Sequence, residues 1–304
     1  MINTDFSLPV LHNSIGIMTP FLLAGLGGLM TELSGMLNIA LEGLILIGAF
    51  FSIIMAAATG SLWLGLILGV LFTVLLATVF GYITLYLKSD VFITGLAVNL
   101  LVPGLITIIS FHAFGTKGVL IFNQLPELPI LDGGMLNGIP LLGDILFGHN
   151  IFVYFSLLLV IVFYIIIYRT PFGFRLRASG NNPRAMKALG LKPRHYQLIA
   201  IMISGLTCAI AGAFLTFNLE AYTPNISAGR GWIALVVIYL GNKTPQGILV
   251  AAFIFGLTES ISNYAQGFLN IPADFILAFP FILTVVAMVI MSIINKRRSN
   301  DPRF

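Results

Sequence analysis

Charged side chains are scarce in this sequence. Asp, Glu, Lys and Arg make up 9% of 304 residues, against about 25% in an ordinary soluble domain, so water is not the solvent for most of the surface. Cysteine occurs once, at Cys208, which excludes an intrachain disulfide and a multi-cysteine metal site and leaves packing as its role. The G-x-x-x-x-G-K-[ST] loop that cradles nucleotide phosphates is missing, and Gly241-Asn242-Lys243-Thr244 does not replace it. Any ATP-driven step must therefore belong to another chain. No grouping of nucleophile, base and acid stands out, and His12, His112, His149 and His195 are spaced too irregularly to announce a metal site. Met1 to Ser14 contain no Lys or Arg, so they lack the basic start of a secretory signal and the first apolar segment is expected to remain. Nucleic acid is not an expected partner.

Apolar residues fill the space that charge leaves: 58% of the chain is hydrophobic. The apolar runs recur from Ile15 to Ile294 with no soluble insert, which predicts one all-α, polytopic membrane domain over 1–304. About 20 mostly apolar residues cross the hydrocarbon core. Spans are expected near 15–31, 36–58, 62–86, 91–114, 151–168, 197–218, 230–241, 246–266 and 275–294, about nine in all. The first and seventh are short and are read as broken or re-entrant helices, which survive only where protein or a water-filled cavity covers them. Gly65 with Gly69, and Ala77 with Gly81, have the spacing that brings helix backbones close, although glycine is frequent in such helices anyway. Glu42-Gly43 and Arg230-Gly231 each open an apolar run, a weak internal echo.

Cations set the orientation, because positive loops remain in the cytoplasm. Residues 169–194 carry Arg169, Arg175, Arg177, Arg184, Lys187, Lys192 and Arg194 and no acid. The tail carries Lys296, Arg297, Arg298 and Arg303 against Asp301. Both are expected inside, together with Lys88 and Lys243. The 115–150 loop, with Glu127, Asp132 and Asp144 against Lys117, is expected outside.

Polar side chains within spans are costly and usually face the bundle interior or a wet path. Glu32, Glu42 and Glu259 are the clearest, with Asn38 four residues before Glu42 and Asn263 four after Glu259, a spacing that shares a helix face. One reading has these groups joining helices. The other has Asn38, Glu42, Asn99, Glu259 and Asn263 lining a solute path. The proline-broken stretch around Glu220 and Arg230 reads either as an outer gate or as a loop pinned by an ion pair.

The basic segment has local structure of its own. Asn182 suits an N-cap, Pro183 the first helical position, Ala185–Leu189 the body and Gly190 the residue past the end. A short capped cationic helix follows, shaped either as a knob for a partner's socket or as a segment held by anionic lipid.

Gly173-Phe-Arg-Leu-Arg-Ala-Ser-Gly-Asn-Asn-Pro-Arg-Ala-Met-Lys-Ala-Leu-Gly190 resembles the coupling-loop signature of bacterial ABC importer permeases of the ribose, galactose and branched-chain amino acid group. Glu32-Leu-Ser-Gly-Met-Leu-Asn-Ile-Ala-Leu-Glu-Gly43 resembles the motif of those serving nucleoside importers, with Leu33 where many of them carry arginine. The resemblance covers about residues 15–294 and implies an ABC importer permease fold in a bacterial cytoplasmic membrane. It also implies a second permease subunit, identical or sister, an extracytoplasmic solute-binding lipoprotein, and ATPase subunits that use ATP and Mg, this chain binding no cofactor itself. Docking to the ATPase falls, by resemblance, on Gly173, Arg175, Gly180, Asn182, Pro183, Ala185 and Gly190, with Arg177 beside them. The function implied is passage of a small polar solute, a purine nucleoside first and a simple sugar second. An ion-gradient carrier using Glu42 or Glu259 as a proton site is the reading from another class.

Overall fold

The computed structural model describes residues 4–122, 125–126, 128–131, 145–266, 282–286 and 289. The expected span at 275–294 falls almost wholly outside the described residues, as do Glu127, Asp132, Asp144 and the basic tail. The described chain is helical: α1 Thr4–Leu33, α2 Leu41–Thr59, α3 Leu62–Leu85, α4 Val91–Phe114, α5 Ile151–Arg169, α6 Pro171–Asn181, α7 Pro183–Ala188, α8 Pro193–Leu219, α9 Arg230–Leu240 and α10 Pro245–Ala265. A two-stranded antiparallel ribbon joins β1, Leu120–Ile121, to β2, Ala221–Tyr222. Seven of these helices are long and apolar enough to cross a membrane.

Helices α1, α2 and α8 form the buried centre, and Phe21, Phe50, Leu22, Leu23, Leu26, Leu29, Leu44 and Ile45 are shut away completely. Helices α3, α4 and α5 turn apolar faces outward, with Ile67, Leu71, Leu75, Leu100, Ile108, Leu158 and Ile161 exposed. This inversion of the soluble pattern is what a hydrocarbon solvent requires. Small residues set the closest packings. A methyl group on Gly65 or Gly69 would fall 2.5 Å from Ala56 or 2.0 Å from Ser52 on α2, and one on Gly205 would fall 2.7 Å from the methyl of Ala77. The small-residue spacings are therefore helix contacts here.

The two short spans part company. The first is in fact one continuous helix, with an apolar stretch of 26 residues from Leu8 to Leu33. Its polar start survives in the helix because each group finds a partner: Asn13 donates to the Tyr264 hydroxyl at 2.9 Å and Ser14 to the Val10 carbonyl. The seventh, α9, is 11 residues long, roughly 16 Å, or about half the hydrocarbon thickness. Its far end turns at Gly241, where Lys243 pairs with Glu32 at 2.6 Å. Its start therefore lies near mid-depth. The other break falls at 34–40, which is not helical, so α2 begins inside the bundle at Leu41 rather than near residue 36.

Two ends of the bundle can be told apart. Tyr86 beneath Arg194 puts the 86–90 turn at the end that carries α6, α7 and Lys243. The β1–β2 ribbon, with the stacked rings of His12 and His149, marks the opposite end.

Candidate functional site: a polar cavity and a capped basic segment

A cavity of about 750 Å³ opens at the ribbon end. Helix α1 contributes His12, Asn13, Gly16, Ile17 and Pro20, α8 contributes Phe214, Leu215, Phe217, Asn218 and Leu219, and α10 contributes Glu259 and Asn263. Residues 128–130 and 148–150 close one side, and Arg230 stands at the inner end because α9 starts at mid-depth. Pro20 has no N–H to return to the carbonyl of Gly16, so the proline opens an acceptor on the cavity wall. Arg230 forms an ion pair with Glu259, and its Nε has no hydrogen-bond partner among the described residues. Nor has Oδ1 of Asn150, whose Nδ2 donates to Asn218 at 3.4 Å.

The polar residues that the sequence offered as a path and as an outer gate separate into two sets. Glu259, Asn263, Arg230 and Glu220 line the cavity. Asn38, Glu42 and Asn99 do not, and each is bonded elsewhere. Asn38 is off any helix, so it shares no helix face with Glu42: its Oδ1 accepts from the Ala40 N–H and its Nδ2 donates to Ser204, both at 3.0 Å. Asn99 donates to the Ile39 carbonyl and accepts from the Gly43 N–H, each at 2.8 Å. Glu42, 7% exposed, accepts from the Ser227 hydroxyl, from the Gly229 N–H at 2.9 Å and from the Gly231 N–H at 2.7 Å. It occupies the anion position at the N-terminus of α9, where a helix presents unpaired donors and a positive dipole end. Glu220 is exposed, caps the end of α8 in a left-handed conformation, and its carbonyl accepts from the Phe122 N–H next to the ribbon. The ion partner of Arg230 is thus Glu259 on another helix, not Glu220.

Sequence reasoning named His12 and His149 without pairing them, yet their rings stack at 4.0 Å beside the cavity. No local pattern pairs positions so far apart. Burial, then the neighbouring His12, hold His149 below its ordinary pKa, against a hydrogen bond to the Ile145 carbonyl.

At the opposite end the basic segment holds two helices, not one. Thr170 caps α6 by accepting from the Gly173 N–H at 3.2 Å, and Pro171 fills the first helical turn. That is the same Thr/Asn-then-Pro signature as Asn182-Pro183, and it was legible. In α7 Asn182 accepts from the Ala185 N–H at 3.1 Å, and Gly190 follows at φ +75°, a left-handed position that suits glycine. The buried residue of α7 is Met186, while Ala185, Ala188 and Leu189 are exposed, Leu189 by 79%. Gly173 and Gly180 are close-packed instead: a methyl on Gly173 would fall 2.2 Å from the Ile166 carbonyl, and one on Gly180 2.5 Å from the Leu33 carbonyl. Arg177 lies between Tyr168 and Phe174, and Arg175 donates to the Tyr196 hydroxyl at 3.3 Å.

Comparison with known proteins identifies the architecture. The family described as branched-chain amino acid transport system / permease component matches residues 10–288. The chain is 31% identical over 263 residues to TsgC13 of Haloferax volcanii, provisionally named a glucose ABC transporter permease, covering 86% of this chain and 79% of that one. It is 31% identical over 285 residues to the guanosine ABC transporter permease NupQ of Bacillus subtilis, covering 88% and 87%. A solved ABC transporter described as of the metal-chelate type, in an inward-facing conformation, superposes with a TM-score of 0.54 at 17% identity over 93% of this chain and 85% of that one, a likeness of fold. The chain belongs to the branched-chain amino acid transport system permease family and is a multi-pass permease subunit of an ABC importer, working with an ATPase.

Proposed function

We propose that this permease passes a neutral polar solute, a purine nucleoside first, through the cavity at the ribbon end. The observation that carries the reading is the Arg230–Glu259 pair. The charges at the inner end of the cavity neutralise each other, and beside them stand carboxamides, a proline-freed carbonyl position and the rings of Phe214 and Phe217, with Glu220 and the two histidines also on the lining. Such a lining offers hydrogen bonds and flat apolar surface to a sugar with an attached base. A zwitterionic amino acid would need both charges answered afresh. The likeness to NupQ and the 32–43 motif favour a nucleoside, and the likeness to TsgC13 favours a simple sugar as the second reading.

In this arrangement α6 and α7 face the cytoplasm of a bacterial cell and meet the ATPase subunits, which use ATP and Mg. The C-terminus lies on the same side. The cavity faces an extracytoplasmic lipoprotein receptor, and the apolar faces of α3 to α5 meet lipid or a second permease subunit. Asn182, Pro183, Ala185 and Gly190 shape the exposed knob, Gly173 and Gly180 seat it, and Arg175 and Arg177 set its charge. The test is ATP-dependent accumulation in vesicles that hold the chain with its partner subunits, offered labelled guanosine, adenosine, glucose and leucine separately. Accumulation of a nucleoside is the expected result. Accumulation of glucose alone selects the sugar reading, and leucine alone overturns a neutral-solute site.

A further inference from the structure

The carboxylate of Glu42 has no place on the cavity wall, yet it is among the most fully bonded side chains in the protein. Its acceptors take the Ser227 hydroxyl and the N–H groups of Gly229 and Gly231. Those two glycines bracket Arg230, whose guanidinium reaches Glu259 at the inner end of the cavity. The approach is close: a methyl on Gly231 would lie 2.4 Å from the Glu42 nitrogen and 2.8 Å from Oε2. Glu42 thus holds the backbone on either side of Arg230.

Glu42 in turn ends a strap that leads to the opposite end of the bundle. Residues 34–40 are not helical, and their polar groups tie them to three elements. Asn38 bonds Ser204 on α8, Asn99 on α4 holds the Ile39 carbonyl and the Gly43 N–H, and the Ser34 carbonyl accepts from Gln197 at 3.1 Å and from Ser179 at 3.4 Å. At its start the strap touches the basic segment backbone to backbone. Gly35, at φ +81°, lies so near Gly180 that a methyl on it would fall 2.9 Å from the Gly180 Cα. The segment proposed to meet the ATPase and the charged pair at the cavity floor are thus joined by one short, irregular stretch of chain tied to its neighbours by hydrogen bonds.

We propose that Glu42 is a positioning residue for transport: it fixes Arg230 at the cavity floor and, through the 34–42 strap, couples that floor to movements of the 171–190 segment. The proposal rests on the reading of the cavity as the solute chamber. Contiguity alone does not establish coupling, which requires an element whose state both sites bias. The prediction is therefore thermodynamic. If Glu42 acts through Arg230, its substitution adds nothing once Arg230 is gone.

The experiment uses the permease with its partner subunits in vesicles, in a Cys208→Ala background with a reporter Asn218→Cys on the cavity wall. An impermeant maleimide reports cavity access with and without a non-hydrolysable ATP analogue. The parent is expected to change labelling rate at least fivefold with nucleotide. Glu42→Gln keeps the size and one acceptor oxygen but sets an amide NH2 against the Gly231 N–H. It is expected to keep the ATPase bound while the nucleotide response falls below twofold and uptake falls about tenfold. Gly180→Ala, which disturbs the far end of the strap, is expected to lose the nucleotide response in the same way with the Arg230–Glu259 pair in place. Arg230→Gln combined with Glu42→Gln is expected to be no worse in uptake than Arg230→Gln alone. Additive losses, or a full nucleotide response in both Glu42→Gln and Gly180→Ala, overturn the strap. A parent that accumulates no nucleoside or sugar and shows no nucleotide response overturns the chamber reading itself, and the strap with it.

Discussion

Two clusters of buried polar groups occupy the same bundle and obey different rules. Around Glu42, Asn38 and Asn99, the described side-chain donors and acceptors meet a named partner, and the carboxylate caps a helix. Around Arg230 and Glu259 the charges are paired, but Arg230 Nε and Asn150 Oδ1 have no partner among the described residues, and the groups face a cavity. A polar group in a low-dielectric interior is costly unless bonded. Complete bonding therefore marks the first cluster as architecture. The second is a charged pair set at an open cavity, the arrangement proposed above to meet the solute.

The sharpest way to break this contrast is Glu42→Leu. It strands the Ser227 hydroxyl and two amide donors in the bundle, and lost hydrogen bonds to a buried charged acceptor cost about 3 kcal/mol in sum. The expected result is a large fall in folded permease, measured by size-exclusion yield and melting temperature in detergent. Leu at Glu42 with wild-type yield would mean that α9 needs no cap.

Glu259→Gln should do the reverse. The pair is part-buried but stands at the open cavity, so folding is expected to change less than in Glu42→Leu, whereas the guanidinium now meets the cavity without its carboxylate. Uptake is expected to fall about tenfold with normal yield, and restoring neutrality with Arg230→Gln in the same chain should recover part of it. A yield as low as that of Glu42→Leu would erase the distinction between the clusters.

The basic segment offers a smaller contrast, between its seated and its exposed residues. Gly180→Val puts a branched side chain where even a methyl meets the Leu33 carbonyl at 2.5 Å, so both uptake and yield should fall. Gly190→Val meets no neighbour within 4 Å and acts only through φ +75°. It should lower ATPase co-purification severalfold while yield falls less than in Gly180→Val. Equal loss of yield in both would place Gly190 among the seated residues.

How much of this was legible follows the physics of each signal. Long apolar runs, the Asn182-Pro183 cap and the cationic segment are local, and they read correctly from sequence. Residues 15–31 looked short because His12, Asn13 and Ser14 break the apolar count, and only the partners Tyr264 and Val10, one of them distant in sequence, let the helix run through them. The likeness of Glu42-Gly43 to Arg230-Gly231 was visible. What it meant was not, since the first pair grips the second across 189 positions. Likewise the spacing of Asn38 and Glu42 promised a shared helix face that a non-helical strap does not provide.

The smallest expected effect separates the stacked histidines from the neighbouring ion pair, which carries its charge in place. His149 is buried at the mouth, outside the spans, and burial and then His12 lower its pKa from the ordinary 6.5. In the unfolded chain it takes up a proton near that value, while in the folded protein it resists until a lower pH. The unfolded state then binds more protons, so stability is intact above 6.5 and declines as pH falls from there toward the folded value. Burial is the larger cause and the His12 ring, stacked at 4.0 Å, the second. Melting temperature measured from pH 8 to pH 5 should drop less for His149→Gln than for the parent, and the two curves should meet at the alkaline end. Parallel curves across the range would show that the stack does not feel protonation, leaving the fall to other groups.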